Sequence, residues 1–183
     1  MNDKNKLENE AELIEKAIND DKAFEVLYDF YFEKIYFYTF KRIGHKETTE
    51  DIVSEIFTKI FLNLNKYKSD DKYSSFSCWV YKIATNSIID YYRKHKIKEV
   101  ELDKANTIED KSKNQEEKML ENVDSIKIKN CIKSLPEKYQ KIINLKFFGE
   151  LSNEEIAETL NISKNNAGVL IYRALKSFKK IYK

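Results

Sequence analysis

Glycine stands at only three of the 183 positions and proline at one, while 35% of the residues are charged. Hairpins and tight turns draw on these two residues for their left-handed and fixed-φ positions, so a chain this poor in both is ill suited to a turn-rich β architecture. Long helices are the remaining solution. Hydrophobic residues make up 42% of the chain, enough to bury real cores. The expectation is an all-α protein built of two small helical domains.

Charge divides the chain. Residues 127–183 carry twelve basic against five acidic residues, a net of +7, whereas the whole protein nets +2. A basic helical end on an otherwise acidic protein is the electrostatic footprint of nucleic-acid binding. Lysine abundance alone says less, because only Arg42, Arg93 and Arg173 of the 33 basic residues are arginine. Between residues 97 and 126 nine acids face five lysines with no aromatic ring, and such a stretch buries too little to offset its ordering entropy. Domains at 1–96 and 125–183 joined by a linker at 97–124 are therefore expected. A polar start and the lack of any eighteen-residue apolar run predict a cytoplasmic protein with no membrane insertion. Cys78 and Cys131 form no CxxC pair and His45 and His95 do not cluster with them, so ordinary thiols are expected, with no metal and no cofactor.

In the first domain, Asp20 or Asp21 can cap a helix that ends at Gly44, with Phe24, Leu27, Tyr28, Tyr31, Ile35, Tyr38 and Ile43 near the helical period. A second helix, from Thr48 or Thr49 to about Leu64, buries Ile52, Val53, Ile56, Phe57, Ile60, Phe61 and Leu64. Its opposite side carries Glu47, Asp51 and Glu55 at steps of four. That row is either a solvated face whose acids complement the helix dipole or a docking face for a basic partner. A catalytic or metal site would need carboxylates converging from several helices, and no such set is visible. A polar loop over 66–75 leads into a third helix, whose buried stripe is Phe76, Trp79, Val80, Ile83, Ala84, Ser87, Ile88 and Tyr91. Around its start, Lys66, Tyr67, Lys72, Tyr73, Phe76 and Lys82 interleave rings with cations, the combination that single-stranded nucleic acid requires. Tyr73 and Phe76 are balanced between that role and the core.

The second domain has the punctuation of a helix-turn-helix. Pro136 lies in the first turn of a helix that Gly149 stops, and Ser152 with Glu155 makes a capping box for the next. Asn161 tolerates a left-handed turn, Ile162 plugs the angle and Ser163 caps the last helix. In such a motif the second helix enters the major groove with its N-terminal residues over base edges.

The strings Glu50-Asp51-Ile52-Val53-Ser54-Glu55-Ile56-Phe57, Trp79-Val80-Tyr81-Lys82-Ile83-Ala84-Thr85-Asn86 and Asp90-Tyr91-Tyr92-Arg93-Lys94 resemble region 2 of bacterial RNA polymerase sigma factors of the extracytoplasmic function (ECF) type. Leu135-Pro136-Glu137-Lys138-Tyr139-Gln140, Leu151-Ser152-Asn153-Glu154-Glu155-Ile156-Ala157, Ile162-Ser163 and Arg173-Ala174-Leu175 resemble region 4 of the same family. The resemblance implies core polymerase binding through Asp51, Ser54, Glu55 and Thr58, with Ser54 standing where glutamine is usual. It implies minus-ten promoter contacts from Lys66, Tyr67, Lys72, Tyr73, Phe76, Lys82, Asn86, Arg93 and Lys94. It gives the minus-thirty-five element to the last helix, where Ser163, Lys164, Asn165, Asn166, Arg173 and Lys176 are the candidate contacts by position, with Lys179 and Lys180 as further candidates for the backbone. An anti-sigma partner, and the lack of the primary factor's extra domains, are family expectations.

The recognition helix departs from the family. Gly168, Val169 and Leu170 occupy positions where lysine and arginine are common, and glycine there costs about 1 kcal/mol of helix stability relative to alanine. Asparagine reads adenine, so either an adenine-rich upstream element or weak upstream recognition follows. The rivals are a stand-alone helix-turn-helix regulator and a helical interaction protein; an enzyme is the weakest reading.

Overall fold

The structure, a computed structural model, describes the backbone at residue 7 and over residues 9–67, 75–102 and 123–182; side chains are described there except at 96–102 and 123–126. Every regular element among these residues is helical.

Helix α1 (Glu10–Ala17) has no counterpart in the sequence reading. It starts from a left-handed Asn9 with no side-chain cap, so its start carries no capping signal, although Leu13, Ile14 and Ala17 recur at helical spacing and pack on the core. A tertiary contact adds to this packing: the Tyr31 hydroxyl donates to Glu10 Oε1 at 2.7 Å.

Helix α2 (Asp21–Ile43) follows the expected bounds. Asp20 accepts from the Lys22 N–H at 2.9 Å, and Gly44 closes the helix with φ of 76°, where a Cβ would be strained. Helix α3 (Lys46–Asn63) starts two residues before Thr48 because His45 is its cap: the Thr48 N–H donates to Nδ1 at 3.4 Å and the Thr49 hydroxyl donates to the His45 carbonyl at 2.7 Å. Phe61, expected inside, is 48% exposed, its ring turned edge-on to Phe24 with centroids 4.9 Å apart. A 3₁₀ turn at Leu64–Lys66 follows.

Helix α4 (Phe76–Leu102) runs six residues into the linker expected from 97, and helix α5 (Val123–Lys133) begins where that linker was expected to end; residues 103–122 lie outside the described residues. The start of α4 is buried on more sides than one stripe predicts, since Cys78, Tyr81 and Thr85 are buried too. Helices α2 and α3 cover one side and α7 (Asn153–Leu160) covers another. Tyr38 and Thr85 share a hydrogen bond of 2.9 Å, and Lys59 donates to Ser87 at the same distance.

Helix α6 (Glu137–Phe147) starts one residue later than expected, with Pro136 as its cap at ψ 142° rather than in its first turn. Gly149 follows it for a different reason than a left-handed backbone, which falls to Glu150 at φ 54°. A Cβ on Gly149 would lie 2.8 Å from the Leu145 carbonyl oxygen and 3.1 Å from the Tyr81 ring. Helix α8 (Lys164–Tyr182) completes the chain's described helices and packs on α5, α6 and α7. Leu27, Ile35 and Ile56 centre one half of the core and Ile142, Leu145 and Ile156 the other. The two halves join where Cys78 of α4 meets Glu155 and Thr159 of α7 and Tyr81 meets Gly149 in the turn between α6 and α7.

Candidate nucleic-acid interface

The helix-turn-helix is assembled by local hydrogen bonds. Ser152 accepts from the Glu155 N–H at 3.2 Å while Glu155 Oε2 accepts from the Ser152 N–H at 2.9 Å, so the start of α7 satisfies its own orphan donors. Asn161 ends α7 in the left-handed region (φ 55°, ψ 48°), the Ile162 N–H donates to the Ala157 carbonyl at 2.8 Å, and Ser163 accepts from the Asn166 N–H at 3.3 Å. Ala167 and Ala174, both at 0% exposure, set α8 close against its neighbours. The residues predicted for upstream DNA are thereby turned outward: Ser163, Lys164, Asn165, Asn166, Arg173 and Lys176 are all exposed. Lys164 is ion-paired with Glu154, and that pairing holds the Glu154 carboxyl below its ordinary range. Two residues absent from the prediction, Val169 and Tyr172, share this outward face at 46% and 66% exposure. Their signal in the sequence was the helical spacing from Asn165, which places positions 165, 169, 172 and 176 in one row.

The start of α4 meets its predictions unevenly. Phe76 is 1% exposed, enclosed by Tyr31, Tyr67 and Trp79 with ring centroids 5.0–5.5 Å away, so its ring presents no face to a base. This corrects its assignment to DNA stacking: the aromatic cluster is completed from α2, which spacing within α4 could not reveal. Trp79 is buried, as its place on the stripe predicted. Tyr67 remains half-buried over that cluster, and burial pushes its hydroxyl pKa up. Lys66 is exposed and donates to Asn63 at 2.9 Å. Lys82, Asn86 and Arg93 lie along one side of α4, with Asn86, Arg93 and Lys94 exposed; Arg93 pairs with Asp90 at 3.1 Å. Lys72 and Tyr73 lie outside the described residues.

On α3, Asp51, Ser54, Glu55 and Thr58 are exposed together. Thr58 donates to the Ser54 carbonyl at 2.8 Å and Lys59 pairs with Glu55 at 2.6 Å. The same row ends in Leu62, 66% exposed, an apolar tip that the expected set of acidic and hydroxyl residues did not include.

A third set of contacts crosses between the halves. Ser75 donates to Glu155 Oε1 at 2.6 Å, the Cys78 thiol donates to the Glu155 carbonyl at 3.5 Å, and Cys78 meets the Thr159 hydroxyl at 3.5 Å. Helix α7 therefore covers one side of the α4 start.

Residues 27–97 match the family model described as sigma-70 region 2, and residues 125–178 match that for sigma-70 region 4. The ECF RNA polymerase sigma factor SigW of Bacillus subtilis is 32% identical over 170 residues, spanning 88% of this chain and 89% of SigW. The chain belongs to the ECF sigma factors of the sigma-70 family. Another relative of this sigma factor, RNA polymerase sigma factor YlaC of Bacillus subtilis, is 31% identical over 86% of this chain and 91% of its own length. Two solved structures share the fold at 16% identity. CnrH, in complex with the cytosolic domain of CnrY, superposes with a TM-score of 0.69 over 92% of this chain and 94% of that one. The sigma factor RpoE, in complex with the anti-sigma factor NepR from Bartonella quintana, gives 0.70 over 87% and 96%. The chain is thus a promoter-directing initiation factor, and the stand-alone regulator is not favoured. No described helix is long and apolar enough to cross a membrane.

Proposed function

We propose that this sigma factor docks on core RNA polymerase through the exposed α3 row of Asp51, Ser54, Glu55 and Thr58, with Leu62 at its end. It engages the minus-ten element from the side of α4 that bears Lys82, Asn86 and Arg93, together with Lys94 next to it, Lys66 and Tyr67. It reads the minus-thirty-five element with the first two turns of α8. Residues 1–96 and 125–183 act as the two binding units, joined by a linker at 97–124. The protein acts in the cytoplasm by binding and orienting, with no covalent chemistry of its own. An anti-sigma factor completes the proposal, on the strength of the fold this chain shares with RpoE, which was solved with the anti-sigma factor NepR.

The observation that supports this most is the orientation of α8. Two fully buried alanines set its inner side against the bundle, and the predicted contact residues stand outside it. A helix held this way by its neighbours presents its N-terminal residues to a groove without rearrangement. The test is reconstituted transcription: the protein is added to bacterial core polymerase and transcript starts on genomic DNA are sequenced. Defined starts dependent on the protein are expected, and Asp51→Lys with Glu55→Lys should abolish them while leaving the thermal midpoint nearly unchanged. Starts that survive the double reversal would remove α3 as the docking face.

A further inference from the structure

The outward side of α8 carries apolar groups that no other described residue covers. Val169 is 46% and Tyr172 66% exposed, and they lie in the same row as Asn165 and Lys176. Rotation of the helix cannot hide them, since Ala167 and Ala174 on the opposite side are already at 0% exposure. Gly168 lies beside this row, and a Cβ built on it meets no atom within 4 Å. A mid-helix glycine weakens the helix, and nothing in this fold requires it. The space above it is open to an outside partner. Among residues 165–172 there is no charged side chain, so this stretch of α8 contacts its target without ion pairs.

Resting on the minus-thirty-five reading above, we infer that Val169 and Tyr172 are specificity-determining residues that read thymine methyl groups, with Gly168 letting the helix approach the bases closely. The C5 methyl of thymine is the one methyl group on the base edges of the major groove. Val169 has no side-chain donor or acceptor and can discriminate bases only through such a contact. Asn165, one turn earlier on the same row, supplies the bidentate pattern for adenine N6 and N7. One helical turn rises about 5.4 Å, roughly one and a half base-pair steps of 3.4 Å, so the row spans neighbouring pairs. A run of A·T pairs offers adenine edges to Asn165 and methyls to Val169 and Tyr172. Arg173 and Lys176 follow at the end of the contact, where phosphates lie.

The test uses the holoenzyme. Its preferred upstream element is first selected from a promoter pool randomised there, and each thymine of that element is then replaced by deoxyuridine, which removes only the methyl. Wild type should lose about fourfold in promoter affinity at a contacted position, the effect of one buried methyl, and Val169→Ala or Tyr172→Ala should lose that sensitivity. Gly168→Ala should raise the thermal midpoint of the free protein yet bind the selected promoter several-fold more weakly. A selected element without thymine, deoxyuridine tolerated at every position, or Gly168→Ala binding as wild type would each overturn the inference. If deoxyuridine is tolerated while Asn165→Ala or A·T-to-G·C changes still reduce initiation, the upstream reading stands and the methyl contact fails. If no upstream change matters, the upstream reading itself fails.

Discussion

The Ser75 hydroxyl donates to Glu155 Oε1 at 2.6 Å, joining the residue before α4 to the first turn of α7 across eighty positions of sequence. The other oxygen of the same carboxylate accepts from the Ser152 N–H and so caps α7. One side chain therefore both starts a helix of the second half and ties it to the first. A hydrogen bond to a charged group contributes about 1.5–3 kcal/mol, against roughly 0.5–1.5 for a neutral one. Glu155→Gln keeps the capping geometry and should lose about 1 kcal/mol. Ser75→Ala should lose a similar amount, and the double variant should lose clearly less than the sum, with a coupling of about 1 kcal/mol by urea denaturation. Strict additivity would mean that the two residues do not act together.

Cys78 sits behind this contact, fully buried, and burial pushes its thiol up to about 12. The thiolate is the reactive form, so at pH 8 only on the order of one molecule in ten thousand carries it. Cys78 should resist thiol reagents in the native protein and react at once in denaturant. Glu155→Ala, which removes both the tie and the cap, should speed native labelling at Cys78, as read by mass spectrometry of the peptide. Unchanged labelling in that variant would show that the α4–α7 contact does not open when the tie is lost.

Gly149→Ala tests the close approach between the halves. Its Cβ would stand 2.8 Å from the Leu145 carbonyl oxygen, a backbone atom that no rotamer change can move, and 3.1 Å from Tyr81. Overpacking of this kind costs about 1–3 kcal/mol. The midpoint of urea unfolding should fall accordingly, the opposite sign from Gly168→Ala, where the added methyl meets open space.

Stability should decline at alkaline pH. Burial holds the hydroxyls of Tyr31, Tyr38 and Tyr81 protonated well above their ordinary value of 10.0. In the unfolded chain they ionise near 10, so the folded state binds more protons above that pH. The stabilisation is complete below pH 10 and is lost as pH rises beyond it, by up to about 1.4 kcal/mol per pH unit for each tyrosine. Urea unfolding at pH 8 and pH 11 measures this directly. Equal midpoints would mean that the three hydroxyls reach solvent readily.

Most helices were legible because their ends are written in local chemistry. Asp20, Gly44, Ser152, Asn161 and Ser163 act on backbone groups within a few residues, so each could be recognised where it stands. α1 carries a helical period in Leu13, Ile14 and Ala17 but no cap to mark its start, and its tie to Tyr31, twenty-one positions from Glu10, lies beyond any local signal. The start of α3 was misplaced for a smaller reason of the same kind, an imidazole acting as a cap where serine, threonine or aspartate is looked for.

The candidate surfaces divide along the same line. The sequence by itself determined an all-helical chain, the position of the helix-turn-helix and the outward polar start of α8, since periodicity and capping depend on neighbours in the chain. Only the tertiary structure decided that Phe76 is core rather than a stacking surface, that Leu62, Val169 and Tyr172 stay exposed, and that Tyr81 packs against Gly149 in the turn after α6. Each of these depends on which helix arrives from elsewhere to cover a given side, and one helix's own pattern of apolar residues cannot specify its neighbour.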